Sequence, residues 1–195
     1  MVAEVRIVNV VATAKCEHQF DLNAIQRAFP EAEYRPERFP GLCFRLKKPK
    51  TGSLIFSSGS IVCTGAKSTA QARLAVRMVV KTLRNRGIII PHNPEVHIQN
   101  IVGSANLGVD INMEKTAEAL ERTIYEPEQF PGIMYRMEEP KVNILIFVNG
   151  KLVITGAKSE EQVYQATVNI QRKLEEADVI FHREAPGADQ LDLKK

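Results

Sequence analysis

The apolar residues of this chain recur with two periods, about two residues in some segments and about 3.6 in others. Alternation and β-branched content predict a first strand over Val5–Thr13. A short helix is then predicted from Leu22 to about Phe29, with Asp21 as its cap and Pro30 after it. Three short strands separated by Pro- or Gly-bearing turns follow, at roughly Leu42–Lys47, Ser53–Ser57 and Ser60–Thr64.

A longer helix is predicted after Ser68, which fits a capping box with Gln71. Gly87 is expected to end this helix. One apolar stripe with helical spacing runs through it: Ala72, Ala75, Val76, Val79, Val80 and Leu83.

The whole pattern occurs twice with a constant offset of 91 residues, which carries Phe39 onto Phe130 and Lys67 onto Lys158. No gap is needed, so each half is expected to be the same folding unit, and two such units usually pack about a pseudo-twofold axis. The domains predicted are a first repeat at 1–91, a second at 92–179 and a flexible polar tail at 180–195. The second copy predicts strands at Val96–Ser104, Ile133–Met137, Ile144–Val148 and Lys151–Thr155, and caps at Asn112 and Ser159.

Both sides of the predicted hairpin strands are apolar. Leu54 and Phe56 alternate with Ile55, yet two helices per repeat can cover only one side of a sheet. An uncovered apolar face marks a binding surface. A homodimer partner or the other repeat is the alternative cover for this face.

Small neutral polar residues and paired aromatic residues favour DNA as the occupant. Asn and Thr can meet the minor-groove edge of A·T pairs, where only acceptors are displayed. Phe39 and Phe56 are 17 residues apart, as are Phe130 and Phe147, which suits wedges at two ends of the face. The polar positions are Asn9, Thr64, Asn100 and Thr155. Basic residues that flank the strands would meet phosphates.

Composition and charge narrow the function classes. The chain is 44% hydrophobic with a net charge of +3, an ordinary globular composition, and it shows neither a signal peptide nor a membrane-spanning run. Its three cysteines are expected to be reduced thiols. Residues 1–91 carry 15 basic and 6 acidic residues (+9), whereas residues 92–195 carry 11 and 17 (−6). We find no metal-ligand spacing and no nucleophile–base arrangement, so neither a cofactor nor an enzyme is expected.

The duplicated FPG, LIF and TGAKS motifs resemble the TATA-binding protein family of transcription initiation factors, over essentially the whole chain. The short N-terminus looks archaeal. The resemblance implies an α+β fold, a pseudo-twofold saddle with one curved antiparallel sheet of about ten strands and four helices on its convex face. It also implies binding to the A·T-rich TATA box in the minor groove, with DNA bending.

The resemblance further implies roles for individual residues. The intercalating phenylalanines would be Phe39, Phe56, Phe130 and Phe147. The base-edge contacts would come from Asn9, Val11, Leu54, Val62, Thr64, Asn100, Val102, Leu145, Val153 and Thr155. The phosphate contacts would come from Arg38, Arg45, Lys67, Arg136, Lys151 and Lys158. Ser60 departs from the family, which usually has a basic residue there, as at Lys151.

Partners follow from the same resemblance. Glu126 and Glu128 would dock transcription factor B, and the chain would join an RNA polymerase pre-initiation complex. The matching turn of the first repeat has Arg35 and Arg38 instead. This difference in charge would explain why transcription factor B docks on only one of the two repeats. The expected location is the cytoplasm, at the nucleoid, or the nucleus in a eukaryote, with no membrane partner. An accessory domain of a nucleic-acid enzyme and a homodimer in the absence of DNA are the competing readings.

Overall fold

A computed structural model of the chain describes residues 4–182. Its first repeat contains β1 (Glu4–Lys15), α1 (Leu22–Ala28), β2 (Leu42–Leu46), β3 (Thr51–Ile55), β4 (Ser60–Ala66) and α2 (Thr69–Asn85). Its second repeat contains β5 (Val96–Asn106), β6 (Val109–Ile111), α3 (Met113–Ala119), β7 (Thr123–Ile124), β8 (Gly132–Met137), β9 (Val142–Phe147), β10 (Lys151–Ala157), α4 (Glu160–Glu176) and β11 (Ile180–His182).

The predicted α+β class, with four helices and one large antiparallel sheet, is confirmed. The sheet has nine strands in the order β2-β3-β4-β1-β5-β10-β9-β8-β7. A separate two-stranded sheet is formed by β6 and β11. The nine strands of the large sheet agree with the predicted count of about ten. Consecutive strands of each hairpin pair directly, as the short turns required.

By proximity of its residues the chain divides into two compact units. One unit holds Arg6–Gly103 with Thr155–Val163, and we call it the Arg6 unit. Of the described residues, the other unit holds 4–5, Ser104–Ile154 and 164–182, and we call it the Ser104 unit. Three strands (β1, β5 and β10) and helix α4 each have residues in both units, so these units differ from the two sequence repeats.

Helix α2 packs on β3 and β4 in the Arg6 unit and buries the apolar stripe seen in the sequence. Ile55, Ile61 and Cys63 face it and are fully buried. Leu54 and Val62 point to the other side of the same strands and remain partly exposed. We call this other side the open face.

The Ser104 unit repeats this arrangement. Ile144 and Ile146 of β9 and Leu152 of β10 are buried on one side. Leu145 and Val153 alternate with them and are partly exposed. Burial therefore divides the strands of each unit into a buried side and an open face, as the alternation in the sequence predicts.

Some predicted boundaries were wrong. The strand placed at Ser53–Ser57 is β3, Thr51–Ile55, because Gly52 lies inside the strand and pairs with both Arg45 and Thr64. The low strand propensity of glycine favours a turn at this position, and pairing with the two neighbouring strands overrides it. The predicted tail begins at residue 180, but Ile180–His182 pair with β6. Residues 183–195 of the predicted tail lie outside the described residues.

The helix caps follow the sequence closely. The carboxylate of Asp21 accepts the Ala24 N–H at 3.0 Å, and Ser68 Oγ accepts the Gln71 N–H at 3.1 Å. In the described part of the chain, no helix combines the length and apolar character needed to cross a membrane.

Candidate nucleic-acid interface

A bulge in β4 creates the first polar cluster of the open face. The register between β1 and β4 shifts where Gly65 adopts a φ of +97°, a conformation that favours glycine. The extra residue lets Cys63 and Ala66 both face the core while Thr64 stays on the open face. It also presents the Gly65 N–H to Asn9 Oδ1 at 2.7 Å.

The amide of Asn9 is thereby held in one orientation. Its oxygen accepts from Gly65, and its Nδ2 donates to Thr64 Oγ1 at 3.2 Å. An amide nitrogen carries two protons, so one donor remains for a ligand. Asn9 is half-buried and Thr64 is exposed, so that donor lies at the surface.

The second repeat builds the same cluster. Gly156, at a φ of +94°, donates its N–H to Asn100 Oδ1 at 2.8 Å. Asn100 Nδ2 donates to Thr155 Oγ1 at 3.3 Å. Both clusters belong to the Arg6 unit, so the structure brings together the four polar residues that the sequence singled out.

A lysine lies beside each cluster. Lys67 Nζ donates to the Val8 carbonyl at 2.7 Å, and Lys158 Nζ donates to the Gln99 carbonyl. The backbone N–H of Lys67 is itself held by Gln71 Oε1 at 2.7 Å. The glutamine of the predicted capping box therefore bonds one residue before the cap and positions the lysine. Each ammonium keeps protons for an anion.

One contact on the open face breaks the repeat symmetry. Gln99 Nε2 donates to Thr13 Oγ1 at 2.8 Å, joining β1 and β5 within the Arg6 unit. By the 91-residue offset Val8 takes the place of Gln99 in the first repeat, so no matching bond can form. Sequence reasoning did not single out either member of this pair.

The four phenylalanines form two exposed pairs. The ring centroids of Phe39 and Phe56 are 5.9 Å apart at 65°, and Phe39 is 44% exposed. Phe130 and Phe147 repeat this at 5.9 Å and 66°, with Phe130 36% exposed. Edge-to-face packing orients each pair without burying it in a core.

A glycine lies beneath each ring pair. A Cβ on Gly41 would stand 2.7 Å from Cε1 of Phe39 and 2.9 Å from Cε1 of Phe56. A Cβ on Gly132 would meet Phe130 at 2.8 Å. Any side chain would displace the rings, a role the sequence analysis missed although the FPG motif places this glycine in both repeats.

The apolar residues predicted for the groove floor are all partly exposed, on the open side of their strands. They are Val11, Leu54, Val62 and Val102 in the Arg6 unit, and Leu145 and Val153 in the Ser104 unit. Their partial exposure contrasts with the full burial of the alternating residues. Each unit thus has an apolar surface not covered by its own helices.

The predicted phosphate contacts are exposed, but they do not have equal surroundings. Arg45 Nη1 lies 2.9 Å from Glu33 Oε1, a surface ion pair not foreseen from the sequence. At the equivalent place Arg136 has Ile124, so its charge has no such partner there. In the Arg6 unit, Arg45 and Lys67 line an open depression of about 810 Å³ together with Asn9 and Thr64.

The two FPG-containing turns have the same backbone but opposite charge. The Glu126 carbonyl accepts from the N–H groups of Gln129 and Phe130, both at 2.9 Å. The Arg35 carbonyl accepts from Arg38 and Phe39 at 2.9 and 3.0 Å. Glu126 and Glu128 are exposed. The second turn presents a carboxylate at Glu126 where the first presents the guanidinium of Arg35, whereas Glu128 is matched by Glu37.

None of the titratable groups with shifted pKa values is a member of the Asn–Thr clusters. Burial raises the pKa of the Cys16 and Cys63 thiols, and the Arg122 guanidinium, hydrogen-bonded to Glu138, lowers the pKa of that carboxyl. Within residues 4–182 no group of three or more His, Cys, Asp or Glu side chains is placed to hold a metal ion. The chemistry of the open face is hydrogen bonding, apolar contact and positive charge.

The sequence and structure of this chain are similar to those of known proteins. The family described as "Transcription factor TFIID (or TATA-binding protein, TBP)" matches residues 4–86 and 95–177. The TATA-box-binding protein of Sulfurisphaera tokodaii is 52% identical over 178 residues, 91% of this chain and 90% of that protein. That of Archaeoglobus fulgidus is 48% identical over 173 residues, 88% of this chain and 94% of the other. The structure of Methanococcus jannaschii TBP superposes with a TM-score of 0.81 at 47% identity, covering 89% of this chain and 99% of the other.

Proposed function

Since this chain belongs to the TATA-binding protein family, we propose that its open face binds the minor groove of an A·T-rich TATA box and bends the DNA to initiate transcription. The family is one of DNA-binding transcription factors and not of enzymes. Duplex DNA is the partner that its relatives' names indicate.

The doubled Asn–Thr cluster is the observation that carries this proposal. Asn9 and Asn100 each have their oxygen occupied by a glycine N–H, which leaves an amide proton as the outward group. A·T pairs show only acceptors in the minor groove, whereas G·C pairs add the guanine amino donor there. A fixed donor therefore favours A·T pairs, and the partly exposed valines and leucines around it suit the groove floor.

Bending is assigned to the phenylalanine pairs. Minor-groove proteins commonly insert apolar wedges between base steps, which unstacks the bases and kinks the duplex. Phe39 and Phe130 are exposed beside turns, and Phe56 and Phe147 support them edge to face. Lys67, Lys158 and the exposed arginines would contact phosphates and make the affinity depend on salt.

Fluorescence transfer across an A·T-rich duplex labelled at both ends tests the proposal. The labels should approach when the protein binds, and the approach should weaken when a G·C pair replaces a central A·T pair. An unbent and unbound duplex at low salt would contradict the proposed function. If the open face served a homodimer instead, sedimentation would show a dimer that persists with saturating A·T-rich DNA.

Recruitment of transcription factor B is assigned to the acidic turn at Glu126 and Glu128. The bound factor would then join this protein to an RNA polymerase pre-initiation complex. Glu128→Arg should leave the DNA affinity close to that of the unchanged protein while weakening the ternary complex with factor B. Glu37→Arg, 91 residues earlier in the first repeat, is the matched control and should preserve that complex. A ternary gel-shift band that survives Glu128→Arg at limiting factor B would refute this assignment.

A further inference from the structure

The two repeats each have a lysine at one corner of the sheet, but on different strands. Lys151 begins β10, but its equivalent 91 residues earlier is Ser60 at the start of β4. At the end of the neighbouring strand the difference is reversed, with Lys15 in the first repeat and Asn106 in the second. Each repeat therefore has one lysine at this corner, on opposite strands.

Lys15 and Ser60 are direct cross-strand partners in the β1–β4 register. Ala14 and Ile61, their neighbours along the chain, are buried against the core at 3% and 0% exposure. By alternation Lys15 and Ser60 therefore lie on the open face, the same side as Thr13 and Val62. Cross-strand neighbours on one face are close enough for one side chain to take the place of the other.

The side-chain geometry brings the charge to the place of Ser60. Lys15 Nζ donates to the Ser58 carbonyl at 2.7 Å and lies 3.4 Å from Ser60 Oγ. The hydroxyls of Ser58 and Ser60 are 3.2 Å apart. Among residues 4–182 Lys15 forms no ion pair with a carboxylate. An ammonium with three protons and two adjacent hydroxyls forms a cluster of donors at the end of the strand pair.

We propose that Lys15, with Ser58 and Ser60, binds a DNA backbone phosphate at the position in the first repeat that corresponds to Lys151 in the second. This inference rests on the proposed function, since it adds a contact to the same DNA-binding face. The loss of a basic residue at Ser60 is compensated by a lysine on the neighbouring strand, so this position of the DNA-binding face is basic in both repeats. Neither the sequence motifs nor the family pattern singles out Lys15.

The size of the effect follows from counterion release. Each phosphate neutralised on duplex DNA makes log K fall by about 0.9 per tenfold rise in salt. Lys15→Asn, which copies Asn106, should reduce this slope by about 0.9 and weaken binding roughly eightfold at about 0.1 M salt. The loss should be similar on different A·T-rich sequences, because a phosphate contact does not read bases.

A second substitution that reproduces the residues of the second repeat should restore DNA binding to the Lys15→Asn variant. Lys15→Asn combined with Ser60→Lys copies Asn106 and Lys151, so it should return both the affinity and the salt slope to those of the unchanged protein. Lys81→Asn is the matched control, because it removes the same charge from an exposed position on α2. Its salt slope should stay unchanged.

The experiment is a titration of a labelled A·T-rich duplex with each full-length variant at several salt concentrations. A reduced slope for Lys15→Asn that returns in the double variant supports the inference. A slope unchanged by Lys15→Asn, or reduced equally by Lys81→Asn, overturns it while leaving the proposed function standing. An unchanged protein that binds no duplex at low salt overturns both proposals.

Discussion

The amide of Asn9 allows a test in which shape is constant and only hydrogen bonding and charge change. In Asn9→Asp the carboxylate can still accept the Gly65 N–H that lies 2.7 Å from Oδ1. The Thr64 hydroxyl, 3.3 Å from the same oxygen, can donate to it. The bulge should therefore be kept, and the free energy of unfolding should change little.

DNA binding should respond very differently. The substitution removes the outward amide donor and turns a carboxylate toward the base acceptors and phosphates of the groove. Leaving a buried polar group without its partner costs about 1–3 kcal/mol, and more for a charged one. We expect a loss of at least about 3 kcal/mol of binding free energy, which is roughly a hundredfold rise in Kd.

Fluorescence anisotropy with an A·T-rich duplex at fixed salt measures Kd, and thermal unfolding measures stability. Asn23→Asp on the exposed side of α1 makes the same charge change away from the open face, and its Kd should stay close to that of the unchanged protein. Equal Kd values for the two variants would refute the donor role of Asn9. A fall in Tm of more than about 4 °C, about 1 kcal/mol or more at this chain length, would refute the claim that the bulge survives.

Further predictions concern the turns, the wedges and the thiols. Gly59→Ala should lower the free energy of unfolding by more than about 3 kcal/mol, since φ is +87° and the new Cβ would stand 2.3 Å from the His18 carbonyl oxygen; an unchanged urea midpoint would contradict this. Phe147→Ala should reduce bending in the fluorescence-transfer assay more than Arg136→Ala, because a wedge opens a base step while a phosphate contact only adds attraction; equal losses would reject that division. Burial raises the pKa of the Cys63 thiol, so mass spectrometry should find Cys63 alkylated much more slowly in the native protein than in urea, and similar rates would show that this strand pair opens readily.

Much of the fold could be predicted because the periods of strands and helices are properties of the backbone itself. Alternation along β3 assigned Leu54 to one face and Ile55 to the other, and burial in the structure follows it. The exact repeat then transferred each assignment to the second half. The prediction failed at Gly52, where pairing with neighbouring strands outweighed local propensity.

The pattern in the sequence was sufficient to locate the open face and to name its asparagines, threonines and phenylalanines. It could not show how the asparagines are held, because the bond from Gly65 to Asn9 joins residues 56 apart and depends on a bulge in the strand pairing. Nor could it show that Lys15 lies beside Ser60, because the pattern along a single strand does not reveal which residue of the neighbouring strand it pairs with. Which side each residue faces is decided locally by the alternating backbone, whereas which groups meet across strands is decided only when distant segments pair in the folded chain.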